Sequence, residues 1–485
     1  MTTNTTLRIA IIGAGPGGLA AGHELLDKGF TNFTLFEATD AVGGTWHIHT
    51  YPGLACDVWA HSYTFSYRPN PDWTANFVEQ PEIEQYLQTC ALEFGLTPHI
   101  KLNTRIASAV YQDGGSWRLT SERGETFECD VVINAMGNQH TPLYPDVPGK
   151  EDFAGNSFHG TRWDHTVELR GKRVVVVGSA ASAVQIVPEI AKVVGHLTVL
   201  QRSANWIMPR RRKLYSDAKR NWFRRLPLLI RLTQRFQRFL MSFVLPAVTI
   251  GHKRMKDFEK LAKRYLDSVI PEGAMRDALT PDSQYGCKRG LVSDDFYPAL
   301  MRENTELVHD GLGKVRPEGI TTSGGREIDV DVIIYCTGYR ILDFDRINVV
   351  GENSQTLAAQ MSDTPEAHKG IAAPGFPNYF FAVGPNGLVL DTPYFMTVEK
   401  NLETIVRLLI EKEAAGLHAI AVKPDLHRAY NDWMEPRFPL YSWGNEACSS
   451  YYRTASGRVP FLYPGSFKDY TKMHAAITLE EFESR

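Results

Sequence analysis

The sequence predicts an α/β fold with two Rossmann-like dinucleotide-binding domains and a helical insert in the second. Three observations predict it. A buried strand, a Gly-rich turn and a helical pattern occur in that order at residues 7–26. The same order returns at residues 173–190. A basic, helical stretch from Pro209 to about Ile270 then separates the second motif from later apolar strands.

The bulk properties agree with this class. The chain has 485 residues, enough for about three domains by length alone. Hydrophobic content of 43% and charged content of 22% suit a globular protein with a large core. A formal charge of −3 gives no reason to expect nucleic acid as a partner. The opening MTTNTT lacks the basic and apolar regions of a secretory leader. The apolar run Phe239 to Ile250 is too short to span a bilayer and contains Pro246. Six scattered cysteines form no Cys-x-x-Cys pair, so neither zinc nor a redox disulfide is expected, and a reducing, cytoplasmic setting follows.

The first motif runs from strand LRIAII into Gly13-Ala14-Gly15-Pro16-Gly17-Gly18 and a helix through Leu25. Gly13 makes the tight turn, Gly15 lets the backbone approach a pyrophosphate, and Gly18 lets helix and strand pack. The helix N-terminus supplies donors and partial positive charge to phosphate. A second strand, FTLF, ends at Glu37, where a carboxylate accepts hydrogen bonds from ribose hydroxyls. An acid there repels a 2′-phosphate, which makes the ligand FAD or NAD.

The stretch from Gly43 to Asp57 follows, with glycines that admit a planar ligand close to the backbone and Trp46 to pack beside it. Gly44, Thr45, Trp46, Asp57 and Tyr63 are assigned to cofactor binding. Asp57 sits among aromatic residues and needs a cationic or donor partner. His47, His49 and His61 lack metal-site spacing, and no metal is expected. Beyond lie an amphipathic helix from Glu82 to Phe94, a meander of strands to Cys129 and a buried strand ending at Gly137. The proline-rich stretch from Thr141 to Gly149 reads as a joint between domains.

In the second motif, strand RVVVV meets Gly178-Ser179-Ala180-Ala181-Ser182-Ala183. Ala180 and Ala183 replace two glycines. The next strand ends in Gln201-Arg202-Ser203, and Arg202 stands as far beyond Gly178 as Glu37 beyond Gly13. An arginine without an acid at that place suits a 2′-phosphate. The first site is therefore expected to take FAD and the second NADPH, through Gly178, Ser179, Ala180, Ser182, Arg202 and Ser203.

With both sites placed, Phe153-x-Gly155-x-x-x-His159-x-x-x-Trp163-Asp164 resembles the fingerprint of type I Baeyer–Villiger monooxygenases. Gly43-Gly44-x-Trp46, Tyr51-Pro52-Gly53 and Asp57 resemble the family's second motif. The resemblance implies an FAD- and NADPH-dependent enzyme using dioxygen. Through a C4a-peroxyflavin it would insert oxygen beside a ketone carbonyl, giving an ester or lactone. It implies that Arg289 is the active-site cation, oriented by Asp57, and that Lys288 helps Arg202 hold the 2′-phosphate. Thr337 and Gly338 look like the family's late Thr-Gly strand end. Tyr451 and Tyr463 stand where it commonly has tryptophans, with Tyr451 toward NADP or substrate. His159 reads as a holder of the domain joint, with Trp163 packed beside it.

Residues 1–145 and 371–485 are expected to form a discontinuous FAD-binding domain. Residues 146–208 and 283–370 are expected to form the NADP-binding domain, and 209–282 the helical insert. Between Pro209 and Met241 basic residues alternate with Leu226, Leu228, Leu229, Leu232 and Phe236. The favoured reading is an insert packed over the active site with its basic face in water; weak membrane contact is the other. Rival functions are oxidation of amine or sulfide heteroatoms and a non-catalytic FAD/NADP redox sensor. The expected assembly is a monomer or homodimer.

Overall fold

The computed structural model describes residues 6–448, 452–454 and 456–485. Two five-stranded parallel sheets organise it. In the first, strand Ile9–Ile12 lies between Phe33–Phe36 and Val131–Asn134, with Ile100–Lys101 and Tyr379–Phe381 at the edges. In the second, Arg173–Val177 lies between His196–Leu200 and Val332–Tyr335, with Thr305–Val308 and Asn156–His159 at the edges. The central strands IAII and VVVV are buried on both faces, as continuous apolar runs in parallel sheets are. Each central strand feeds a helix, Pro16–Asp27 in the first sheet and Ala181–Ile190 in the second. Both helices therefore begin at the carboxyl edge of their sheet, where this architecture binds ligands.

The C-terminal part returns to the first sheet through Tyr379–Phe381. It then lays helix Tyr394–Ala414 across it, burying Phe395, Val398, Leu402, Ile405 and Leu409 at helical spacing. The meander Ile106–Tyr111, Trp117–Ser121 and Thr126–Cys129 gains a fourth strand, Asn348–Val350. The expected boundary at 370 put that strand with the second unit, yet its backbone pairs with the first. Its short apolar run carries no mark of which sheet it will join.

The insert consists of helices Asp217–Arg225, Pro227–Met241, Val244–Val248, Lys253–Val269 and Ala274–Leu279. In Pro227–Met241 the basic Arg231 and Arg235 are exposed, but much of the apolar stripe is exposed with them, and Ile230 and Met241 are buried. Its glutamines Gln234 and Gln237 are buried, while Leu228, Leu232 and Phe236 face outward. Two of the six cysteines pair, contrary to expectation. Cys287 and Cys448 form a disulfide, 161 residues apart in sequence, while Cys56, Cys90, Cys129 and Cys336 stay free and buried. A bridge between two such distant loops leaves no spacing signature, so scattered cysteines do not establish a reducing setting. No described helix is long and apolar enough to cross a membrane.

Candidate active site

The first cradle is built by close backbone approach. A Cβ on Gly44 would lie 2.9 Å from the Gly15 Cα, so the two turns touch only because both are glycine. Helix Pro16–Asp27 has no side-chain cap and no acid in its first turn, which leaves its leading N–H groups for an anion. Glu37 is buried at the end of the second strand. Its Oε2 accepts from the Ala14 N–H at 2.8 Å and its Oε1 from the Thr39 N–H at 2.9 Å. Beside the cradle, the Trp46 indole donates to the Tyr63 hydroxyl at 3.1 Å. These features fit an adenine dinucleotide with free ribose hydroxyls.

The second cradle repeats the design. Helix Ala181–Ile190 starts at Ala180, again with no side-chain cap and no acid in the first turn. Ser179 is buried, and its carbonyl accepts from Asn205 at 3.1 Å. Arg202 is exposed at the strand end. Lys288 arrives from a separate loop and donates to the Ser203 hydroxyl and to the Ala204 carbonyl. Burial lowers the Lys288 pKa, Asp282 opposes this, and nearby Arg202 lowers it further. Arg202, Ser203 and Lys288 thus form one positive corner, fit for a phosphate ester.

Arg289 and Asp57 meet across 232 residues of sequence. The guanidinium donates from Nε to Oδ2 and from Nη2 to Oδ1, both at 2.9 Å. Two parallel bonds fix the plane of the guanidinium as well as its position. The pair is partly open to solvent, with the two side chains 41% and 28% exposed.

The linker residues act within the joint. A Cβ on Gly155 would lie 2.4 Å from the Asp331 carbonyl and 2.7 Å from the Phe153 ring. His159 ends an edge strand, fully buried, and its Nδ1 accepts from the Thr161 N–H at 3.2 Å. Burial, helped by Arg162, pushes the His159 pKa down to about 4, so the ring is neutral at pH 7. Trp163 packs edge-on against Phe158, and Asp164 accepts from the Thr166 N–H in a local turn. Thr337 donates to the Leu143 carbonyl, and Gly338 accepts from the Leu143 N–H at 2.9 Å. Both therefore tie the strand end to the proline-rich joint. Tyr451 lies outside the described residues. Tyr463 is buried and meets Tyr470 edge-on.

Two features escaped the sequence reading. Gly53 does not border the first cradle; a Cβ there would lie 2.5 Å from the Gln185 carbonyl on helix Ala181–Ile190. The Tyr51 hydroxyl donates to Gln185 Oε1 at 3.1 Å, and Gln185 Nε2 donates to the Ala55 carbonyl at 2.8 Å. Ser182 lies against the hydroxyls of Tyr51 and Tyr339. The Tyr51–Gly53 turn is therefore a clasp between the two units. The second feature is Arg346, which donates to the Met136 carbonyl at 3.2 Å. Burial lowers its pKa to about 10, Asp343 opposes, and Arg105 and Arg162 lower it further. No local motif marks Gln185 or Arg346; each gains its meaning from the packing of distant loops.

The flavin-binding monooxygenase-like family model matches residues 6–354. A Baeyer–Villiger monooxygenase of Streptomyces coelicolor is 35% identical over 98% of this chain and 92% of its own length. One of Pseudomonas aeruginosa is 37% identical over 94% and 88%. Cyclohexanone monooxygenase from a Rhodococcus, bound to NADP+, superposes with a TM-score of 0.87 at 23% identity, covering 99% of both chains. An oxidised steroid monooxygenase bound to NADP gives 0.86 at 25% identity, again covering 99% of both.

Proposed function

The chain belongs to the flavin-binding monooxygenase-like family, among its Baeyer–Villiger members, and from that premise we propose how its residues divide the chemistry. It is an FAD-containing, NADPH-dependent monooxygenase that inserts oxygen beside a ketone carbonyl. Bound FAD, reduced at the expense of NADPH, supplies the reactive oxygen from dioxygen.

The observation that carries the residue assignment is the two-point Arg289–Asp57 pair beside the positive corner at Lys288. Negative charge grows on the ketone oxygen as its carbon is attacked, and a fixed cation aimed at that charge lowers the barrier. Arg289 fits because it stays charged, and Asp57 holds its plane. Arg202, Ser203 and Lys288 grip the 2′-phosphate and so select NADPH. Glu37 and the Gly15–Gly44 contact hold FAD. Gly178, Ser179 and Ala180, at the uncapped start of helix Ala181–Ile190, would receive the NADPH pyrophosphate.

His159 and Trp163 set the angle between the units and take no part in the chemistry. The small-molecule partners are a ketone and dioxygen. Consumption of NADPH favours a cytoplasmic location.

The test is a panel of ketones and sulfides incubated with NADPH and analysed for oxygenated products. Esters or lactones from ketones, lost in Arg289→Ala while bound FAD remains, support the assignment. Ester formation by Arg289→Ala at the wild-type rate refutes it. Products from sulfides alone would shift the reading to heteroatom oxidation.

A further inference from the structure

Helix Pro227–Met241 exposes more apolar surface than an ordinary surface helix. Its inner face holds only two apolar side chains, Ile230 and Met241, and between them the Gln234 amide donates to the His61 carbonyl at 2.9 Å and Gln237 accepts from the Ser62 hydroxyl at 2.9 Å. Its outer face carries Leu228, Leu232, Phe236 and Phe239, which are 66%, 50%, 61% and 57% exposed. Spacings of four, four and three residues put these side chains in one stripe, roughly 16 Å long at 1.5 Å per residue. An exposed apolar stripe of this length is not explained by packing within the chain.

The charge around the stripe says what covers it. Between Pro209 and Met241 eleven residues are Lys or Arg and one, Asp217, is acidic, on a chain whose net charge is −3. Arg225, Arg231 and Arg235 are exposed and form no ion pair among the described residues. An apolar stripe edged by unpaired arginines matches the boundary between acyl chains and anionic headgroups. A second copy fits poorly: a two-fold contact through the stripe would set Arg231 and Arg235 beside their own counterparts. At 15 residues the helix is too short to cross a bilayer, so it lies flat.

We propose that helix Pro227–Met241 docks the protein on an anionic lipid bilayer, with Leu228, Leu232, Phe236 and Phe239 in the acyl boundary and Arg225, Arg231 and Arg235 on the headgroups. The glutamines then serve as the inner attachment, tying the helix to the segment that follows Asp57. The contact is peripheral and reversible.

The test is sedimentation of the FAD-loaded full chain with mixed phosphatidylglycerol–phosphatidylcholine vesicles, against vesicles of phosphatidylcholine alone. Wild type is expected to pellet with the anionic vesicles and to be released by salt. The L232S/F236S/F239S variant should bind at least about ten-fold more weakly while its NADPH oxidation with a water-soluble ketone is unchanged. R231Q/R235Q should lower binding about five-fold per charge, and it decides the matter if the first variant fails to retain FAD. Wild type left in the supernatant, equal binding to neutral vesicles, or variants that pellet like wild type would each overturn the proposal. So would a wild-type dimer that the apolar variant splits, which would assign the stripe to a second copy.

Discussion

At the scale of single residues, the chemistry rests on Arg289 and its partner. Arg289→Ala should keep FAD, since its bonds to Asp57 leave the first cradle untouched, yet lower ester formation by about 10²- to 10³-fold. Arg289→Lys should recover little, because an ammonium cannot make the parallel two-point contact. Product yield against flavin content separates the two effects. Arg202 permits a second prediction. Arg202→Ala should raise KM for NADPH by roughly ten-fold and leave KM for NADH unchanged, because only NADPH carries the 2′-phosphate. Steady-state kinetics with both nucleotides checks this, and equal change for both would remove Arg202 from the phosphate corner. Glu37 and Arg202 were legible because each stands at a fixed offset from a Gly-rich turn. That Asp57 and Arg289 pair was legible only through the family resemblance. Gln185 and Arg346 were not, since what each touches comes from elsewhere in the chain.

At the scale of elements, the two strand–turn–helix units were readable because apolar runs and glycines are local signals. The side of helix Pro227–Met241 that faces inward was not readable. Hydrophobic periodicity finds a stripe but assumes that the stripe is buried, and here Gln234 and Gln237 share the buried face with Ile230 and Met241. The seam between the units carries a further consequence. His49 stacks on Tyr339, His159 stands near the same ring, and Arg162 bonds the His140 carbonyl. Burial, then Arg162, pushes His49 to about 4, and burial, then Arg346, pushes His140 to about 3. These values lie below that of an unfolded histidine, near 6.5. Between them the unfolded chain binds protons that the folded chain refuses, so stability rises with pH across that window. Stability is therefore full above about pH 6.5 and falls as the pH drops toward 4, on the order of 3 kcal/mol for His159 alone. Melting followed by flavin fluorescence should show Tm falling through this range, with a shallower slope in His159→Gln. A slope unchanged by the substitution would take His159 out of the seam's acid response.

At the scale of the whole molecule, long-range closure is what the sequence conceals most completely. The addition of Asn348–Val350 to the meander is a choice among sheets, made by the assembled core. The disulfide is the extreme case. Cys287 immediately precedes the Lys288–Arg289 pair, so the bridge holds Cys448 beside the site. Closing so long a loop removes freedom from the unfolded chain, worth on the order of 5 kcal/mol in the chain-entropy account. Protein purified without reductant and unfolded with its bridge intact should titrate four thiols, and six after reduction. Reduction or Cys448→Ser should lower Tm by several degrees. Because Lys288 adjoins the bridge, either change should also raise KM for NADPH, whereas Cys90→Ser, in the first unit, should leave it unchanged. Six thiols in unreduced protein would show that the two sulfurs remain apart, and an unaltered KM after bridge removal would confine the disulfide to stability.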